Sequence, residues 1–152
     1  MKLLIVTALL IITQSAFALE IKGTRAEALY NQIAGLSEEL GDIGGLDCAM
    51  GTCYASIPNT KCVKAFVEET DREGYRTSCT FVSPEGKSVT VKNDDNGHIG
   101  SLRRTLIDLT GKLVTENDSN SIKVKSVDCK GTSLGRDADG LEIEQTFTCS
   151  IK

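Results

Sequence analysis

Tryptophan is absent from this chain, histidine occurs once, proline twice, and no two cysteines stand in a C-x-x-C spacing. Each absence removes a class of function. Without C-x-x-C the signature of a thiol–disulfide oxidoreductase is missing, and so are the close cysteine pairs of a structural zinc site. No G-x-S-x-G or H-E-x-x-H surrounds a nucleophile or a metal ligand, so the common hydrolase frameworks have no purchase. Lysine and arginine never cluster. Arg103-Arg104 is the densest pair, expected to solvate a helix face, and a surface that neutralises several phosphates is therefore excluded.

Long apolar runs are also scarce, and the single one lies at the start. MKLLIVTALLIITQSAFA carries Lys2, an apolar stretch from Leu3 to Ile12 interrupted only by Thr7, and the A-x-A site Ala16-Phe17-Ala18. The stretch is shorter than the ~20 residues a bilayer core requires, and a small-residue cleavage site follows it directly, which is the pattern of a secretory signal peptide. Residues 1–18 are thus expected to be removed after Ala18, delivering the product to the periplasm or the medium. No second run reaches membrane length, so the mature chain should contain no span. Removing Lys2 with the leader leaves 16 basic against 21 acidic side chains, a mild acidity that suits no polyanion.

All six cysteines fall in residues 19–152, and an even number in an exported chain reads as three disulfides. Cys129 and Cys149 flank the turn-forming Asp137-Ala138-Asp139-Gly140, after which Leu141, Ile143, Phe147, Cys149 and Ile151 alternate with polar residues as in a half-buried strand. The same segment fails as a calcium loop. Setting Gly140 at its sixth position puts Gly135 first and Thr146 twelfth, where an acid and a bidentate glutamate are needed. Cysteines placed this way about a hairpin come within bridging distance, so Cys129 is expected to pair with Cys149. For the other four two schemes stand: Cys62–Cys79 with Cys48–Cys53, or Cys53–Cys62 about a turn at Pro58-Asn59 with Cys48–Cys79. Val63, Ala65 and Val67 look core-directed, which would turn Cys62 outward, while Cys79 shares a face with Tyr75 and Phe81.

Two segments carry helical periodicity. Leu29, Ile33, Leu36 and Leu40 predict one helix over 24–40, with Thr24 and Glu27 as a capping box. Leu102, Leu106, Leu109 and Leu113 predict another over 99–114. Hairpins follow each, and Ser83–Lys87 links the strand Tyr75–Val82 to Ser88–Lys92 as an antiparallel meander. The expected fold is α+β, two amphipathic helices on one side of antiparallel sheet in a single disulfide-stabilised domain. A tandem helix-plus-hairpin repeat would divide it into 19–95 and 96–152.

Candidate chemistry is sparse. In Asn93-Asp94-Asp95-Asn96-Gly97-His98 two carboxylates adjoin the lone imidazole, the arrangement of a base and its orienter in a small hydrolase. The same residues serve equally as a loop and cap before a helix, with acids complementing its dipole. The acidic segment 68–73 reads as a solvated hairpin tip, and Asn117-Asp118-Ser119 is a formal glycosylation sequon behind a bacterial-looking leader. No cofactor and no metal site is expected.

The layout, tandem units of helix and antiparallel strands in an exported cystine-bearing protein, resembles that of the β-lactamase inhibitory proteins. The likeness is architectural, covers no motif and transfers no residue. The leading expectation is an exported, non-enzymatic binding module, an inhibitor or envelope accessory, whose partner is a protein or cell-envelope component. A hydrolase using His98 with Asp94 or Asp95, or a purely structural envelope component, is the alternative.

Overall fold

The structure, a computed structural model, describes residues 18–69, 72–111, 114–116, 119–133, 138–140 and 145–152. Residues 1–17 of the leader, residues 70–71 of the acidic segment, the sequon residues 117–118, Leu113, Asp137, Leu141 and Ile143 lie outside the described residues.

A short strand β1 (Leu19–Lys22) leads into helix α1 (Thr24–Ala34), the one-turn α2 (Ser37–Leu40) and strands β2 (Gly45–Ala49), β3 (Thr52–Ile57), β4 (Asn59–Glu69), β5 (Arg72–Val82) and β6 (Ser88–Asp94). Helix α3 (His98–Thr110) and strands β7 (Val114–Glu116), β8 (Ser119–Val124), β9 (Val127–Ser133) and β10 (Gln145–Ile151) complete the chain. Among the described residues all pairings are antiparallel, and they build two five-stranded sheets rather than one: β1-β10-β9-β3-β2 and β6-β5-β4-β8-β7. Helix α1 covers the first sheet and α3 the second.

The strands are not divided between the sheets by halves of the chain. Segment 19–95 gives β1, β2 and β3 to the first sheet but β4, β5 and β6 to the second, and segment 96–152 gives β7 and β8 to the second sheet but β9 and β10 to the first. Pro58 marks the passage. It was expected to head a turn, yet the chain runs on through it, because Ile57 pairs with Val127 on one side and Thr60 with Val124 on the other. Proline lacks the N–H a continuous ladder would use, so the strand breaks there and changes sheet without reversing.

Burial follows from this arrangement. Ala26, Leu29 and Ile33 of α1, Ile99, Leu102 and Leu106 of α3, and the inward residues of both sheets form one apolar cluster. Between the helices, Gln32 Nε2 donates to Thr105 Oγ1 at 3.0 Å. The predicted first helix is shorter than its periodicity implied. It stops at Ala34, although Leu36 and Leu40 stay buried, because the chain turns at Gly35 and Ser37 Oγ donates to the Ala34 carbonyl. Thr24 does not cap it either. Gly23, at φ 73°, is the cap residue and its N–H bonds the Phe147 carbonyl, so the sharp exit from β1 consumes the position where a side-chain cap would stand. At the far end of α3, Gly111 takes a left-handed conformation and ends the helix at Thr110, short of the predicted 114.

The cystines join residues directly opposite one another: Cys48 with Cys53, Cys62 with Cys79, and Cys129 with Cys149. The last two lie inside the core, whereas Cys48–Cys53 straddles the exposed Met50–Gly51 turn, both of whose residues have positive φ as a two-residue hairpin demands. Burial of Cys62 overturns the outward placement inferred from Val63, Ala65 and Val67. Both faces of β4 carry apolar side chains, so alternation could not choose between them; α3 lies on the Cys62 face and leaves Ala65 exposed.

Ring size and burial rank the bridges. Closing the rings of Cys129–Cys149 and Cys48–Cys53 contributes about 3 and about 2 kcal/mol in the chain-entropy model. Cys129→Ala with Cys149→Ala also removes buried sulfur, so denaturant unfolding should show a loss of roughly 3–5 kcal/mol, against no more than about 2 for Cys48→Ala with Cys53→Ala. Equal losses would contradict the burial difference.

Candidate functional site

On β4 and β5 the face that holds Cys62–Cys79 continues outward along the hairpin. By two-residue alternation Lys64, Phe66 and Glu68 share it with Thr77, Tyr75 and Glu73, each pair directly cross-strand. Near the core this face lies under α3. Beyond it the hairpin projects as a two-stranded arm, since β6 pairs with β5 only as far as Arg76–Asp94 and β8 with β4 only as far as Lys64–Asn120.

Where the arm leaves the body a polar cluster replaces apolar packing. Lys64 Nζ lies 2.7 Å from Asp95 Oδ2, and Thr77 Oγ1 donates to Asp95 Oδ1 at 2.9 Å. The Asp95 side chain is 17% exposed, and its carboxyl is held below the ordinary aspartate range, first by the Lys64 hydrogen bond and then by Thr77 and the nearby Arg104, against the opposing effect of burial. Arg104 also donates through Nη1 to the Asp95 carbonyl at 2.6 Å. This close approach has a steric condition. A Cβ on Gly100 would stand 1.8 Å from the Asp95 carbonyl oxygen, so only glycine lets α3 settle over the loop.

The Lys64 ammonium also lies 4.6 Å from the centre of the Tyr75 ring, which in turn meets Phe66 edge to face with centroids 5.3 Å apart. Phe66 is 55% and Tyr75 56% exposed. An aromatic pair in water on a braced arm is an unusual expenditure of apolar surface. Beside it, Glu73, Gly74, Tyr75, Arg76, Asp94, Asp95 and Asn96 line an open groove of about 670 Å³.

The carboxylates expected to serve His98 are engaged elsewhere. Asp94 Oδ1 accepts from Arg76 Nη1 at 2.8 Å and Asp95 belongs to the Lys64 cluster, while the imidazole has Glu39 Oε1 at 3.5 Å from Nε2 and Asn93 Nδ2 at 3.3 Å from Nδ1. Nor do Asp94 and Asp95 cap α3. Its cap residue is Gly97, without a side-chain bond, and Asn93 turns its oxygen to the Asp94 N–H. Arg103 departs furthest from its expected role on a solvated face. It is 5% exposed, its Nε donates to the Asn120 carbonyl at 3.3 Å, and burial lowers the pKa of its guanidinium. Among the described residues no three His, Cys, Asp or Glu side chains gather in a way that could hold a metal ion.

Phe66, Tyr75 and Lys64 are not singled out as site residues by the sequence, which marks Tyr75 only as sharing a face with Cys79. The signal was present in their spacing from the cysteines, two and four residues along on each strand, but it becomes readable only once Cys62 is known to face inward.

No family model matches the chain, and neither a curated protein nor a solved structure shows significant similarity to it.

Two expectations test this geometry. Asp95 is depressed in the folded state, so its contribution is complete above the unfolded value of about 3.9 and is lost as pH falls through its lower folded value. Asp95→Asn should therefore reduce stability at pH 7 by about 1–3 kcal/mol and flatten the decline below pH ~4, read from urea midpoints across pH. Gly100→Ala should cost at least about 2 kcal/mol by overpacking, and a melting temperature unchanged from wild type would refute the close approach.

Proposed function

We propose that this chain is an exported, non-enzymatic binding module that engages a protein or cell-envelope component through the β4–β5 arm. The exposed Phe66–Tyr75 pair carries the reading, since paired aromatics on a hairpin braced at its root by a cystine supply large contact area. The bridging of all six cysteines suits an oxidising compartment, the periplasm or the medium. Cleavage of the leader after Ala18 fits as well: β1 begins at Leu19, and every residue it pairs with lies in β10, so the cut would leave the first sheet whole.

The chain is read as two related units, β1 to β5 and β6 to β10, so the division is drawn before β6 at Ser88 instead of the expected 19–95 and 96–152. Support comes from the matching strand orders, in which β1 corresponds to β6, β10 to β5, β9 to β4, β3 to β8 and β2 to β7, and from the two core cystines at equivalent places.

Mature protein immobilised in extract of its native envelope should retain a partner identifiable by mass spectrometry. Phe66→Ala with Tyr75→Ala should lose that partner while stability falls by less than about 2 kcal/mol, because both rings are already half in water. Met50→Ser, on the exposed β2–β3 turn of the other sheet, serves as the control. Retention of the same partner by the double variant would place binding elsewhere, and a structural envelope component would hold no discrete partner at all.

A further inference from the structure

The lane that β6 vacates beside β5 has the properties of an unfilled strand position. Strand β5 runs on to Arg72 after β6 ends at Asp94. Cys62 and Cys79 are directly opposed with Cα atoms 4.0 Å apart, the spacing of a non-hydrogen-bonded pair, so the backbone groups of Gly74 and Arg76 point to β4 and those of Glu73 and Tyr75 point the other way. The Tyr75 carbonyl is taken by the Asp95 N–H at 3.1 Å. Among the described residues, the Tyr75 N–H and both backbone groups of Glu73 have no backbone partner. The open groove lies along this edge.

Nothing in the fold requires Gly74. Its φ lies outside the left-handed region and a Cβ there would meet nothing within 4 Å, yet a glycine leaves the outer side of the lane open to a neighbouring strand's side chain. On the inner side an incoming residue would meet the Tyr75 ring and Glu73. Glu73 is directly opposite Glu68, a like-charged pair that is unfavourable in the isolated hairpin and relieved by a cation. Tyr75 already accommodates one ammonium, that of Lys64.

We propose that an extended, lysine- or arginine-bearing segment of a partner protein adds to β5 here, hydrogen-bonding Glu73 and Tyr75 and setting its cations against Tyr75, Glu73 and Glu68. This rests on the binding role of the arm and names the chemistry of its partner. A second copy of the chain is the poorer occupant, because residues 68–73 hold Glu68, Glu69, Asp71 and Glu73 against Arg72 alone, and edge-to-edge pairing would bring acid against acid.

The test uses the mature, disulfide-intact protein and a blocked heptapeptide alternating lysine with valine, with the glutamate–valine peptide as its counterpart. The lysine peptide should slow amide exchange at Glu73 and Tyr75 at least about tenfold and leave Gly74 and Arg76, already bonded to β4, unchanged. The glutamate peptide should do neither. Glu73→Pro removes the edge N–H without touching the β4 pairing and should abolish binding, and Glu68→Lys with Glu73→Lys should invert the preference between peptides. Absence of protection, equal protection by both peptides, or protection that rises with protein concentration alone would overturn the proposal, the last in favour of self-pairing. Loss of the native partner in the Phe66/Tyr75 variant alongside no peptide protection would sink this inference and leave the binding role standing; retention of that partner would sink the binding role itself.

Discussion

The Cys62–Cys79 bridge settles which way β4 and β5 face, and the rest of the second sheet follows from it. Both sulfurs are shut into the core beneath α3. Because side chains alternate strictly along a strand, an inward cystine at one rung commits every second rung outward from it to the same face. Lys64 and Thr77 are then obliged to meet whatever loop borders the helix, and Phe66 and Tyr75, one rung further, pass beyond its cover. A shift of a single residue would have buried Val63, Ala65 and Val67 and sent both aromatics to the opposite side.

Comparison of the two sheets shows how the same position can be filled in opposite ways. One rung out from Cys129–Cys149 stand Gly131 and Phe147. The glycine leaves room: a Cβ there would lie 3.1 Å from Phe147 and 3.2 Å from Tyr30, and the two rings pack 5.1 Å apart over the space. Burial of this kind pushes the Tyr30 phenol pKa up. At the corresponding rung of the second sheet Lys64, Thr77 and Asp95 form a charged hydrogen-bonded plug. Apolar filling ties the first hairpin to α1, whereas the polar plug closes the core of the second and lets its outer part extend as an arm with its aromatics uncovered.

Placing the charged plug at the root of the arm has an energetic logic. A carboxylate that accepts from both Lys64 and Thr77 satisfies its desolvation cost locally, and charge-assisted bonds are directional where apolar contacts are not. Gly100 and Arg104 then lock the backbone of that same residue to α3. Arm, loop and helix are thereby held in one geometry by a single aspartate whose neighbours in sequence, Asp94 and His98, answer to other partners.

The sequence by itself determined the α+β class, the two helical faces and the presence of short antiparallel strands, because these depend on periodicities of 3.6 and 2 within a dozen residues. Leu29 and Ile33 on α1, and Leu102 and Leu106 on α3, were legible for that reason. What it could not contain was the exchange of strands between two sheets at Pro58 and Ser126, since a proline in an extended run reads identically whether the chain reverses or passes on. The candidate site shared this limit. Asp95 looked like one of two acids near a histidine, and Arg103 like a solvated cation, until packing brought β4 and β8 against the loop and the helix. Local pattern set which residues could lie inward; only the tertiary contacts of α3 decided which face of β4 was inward, and with it the exposure of Phe66 and Tyr75.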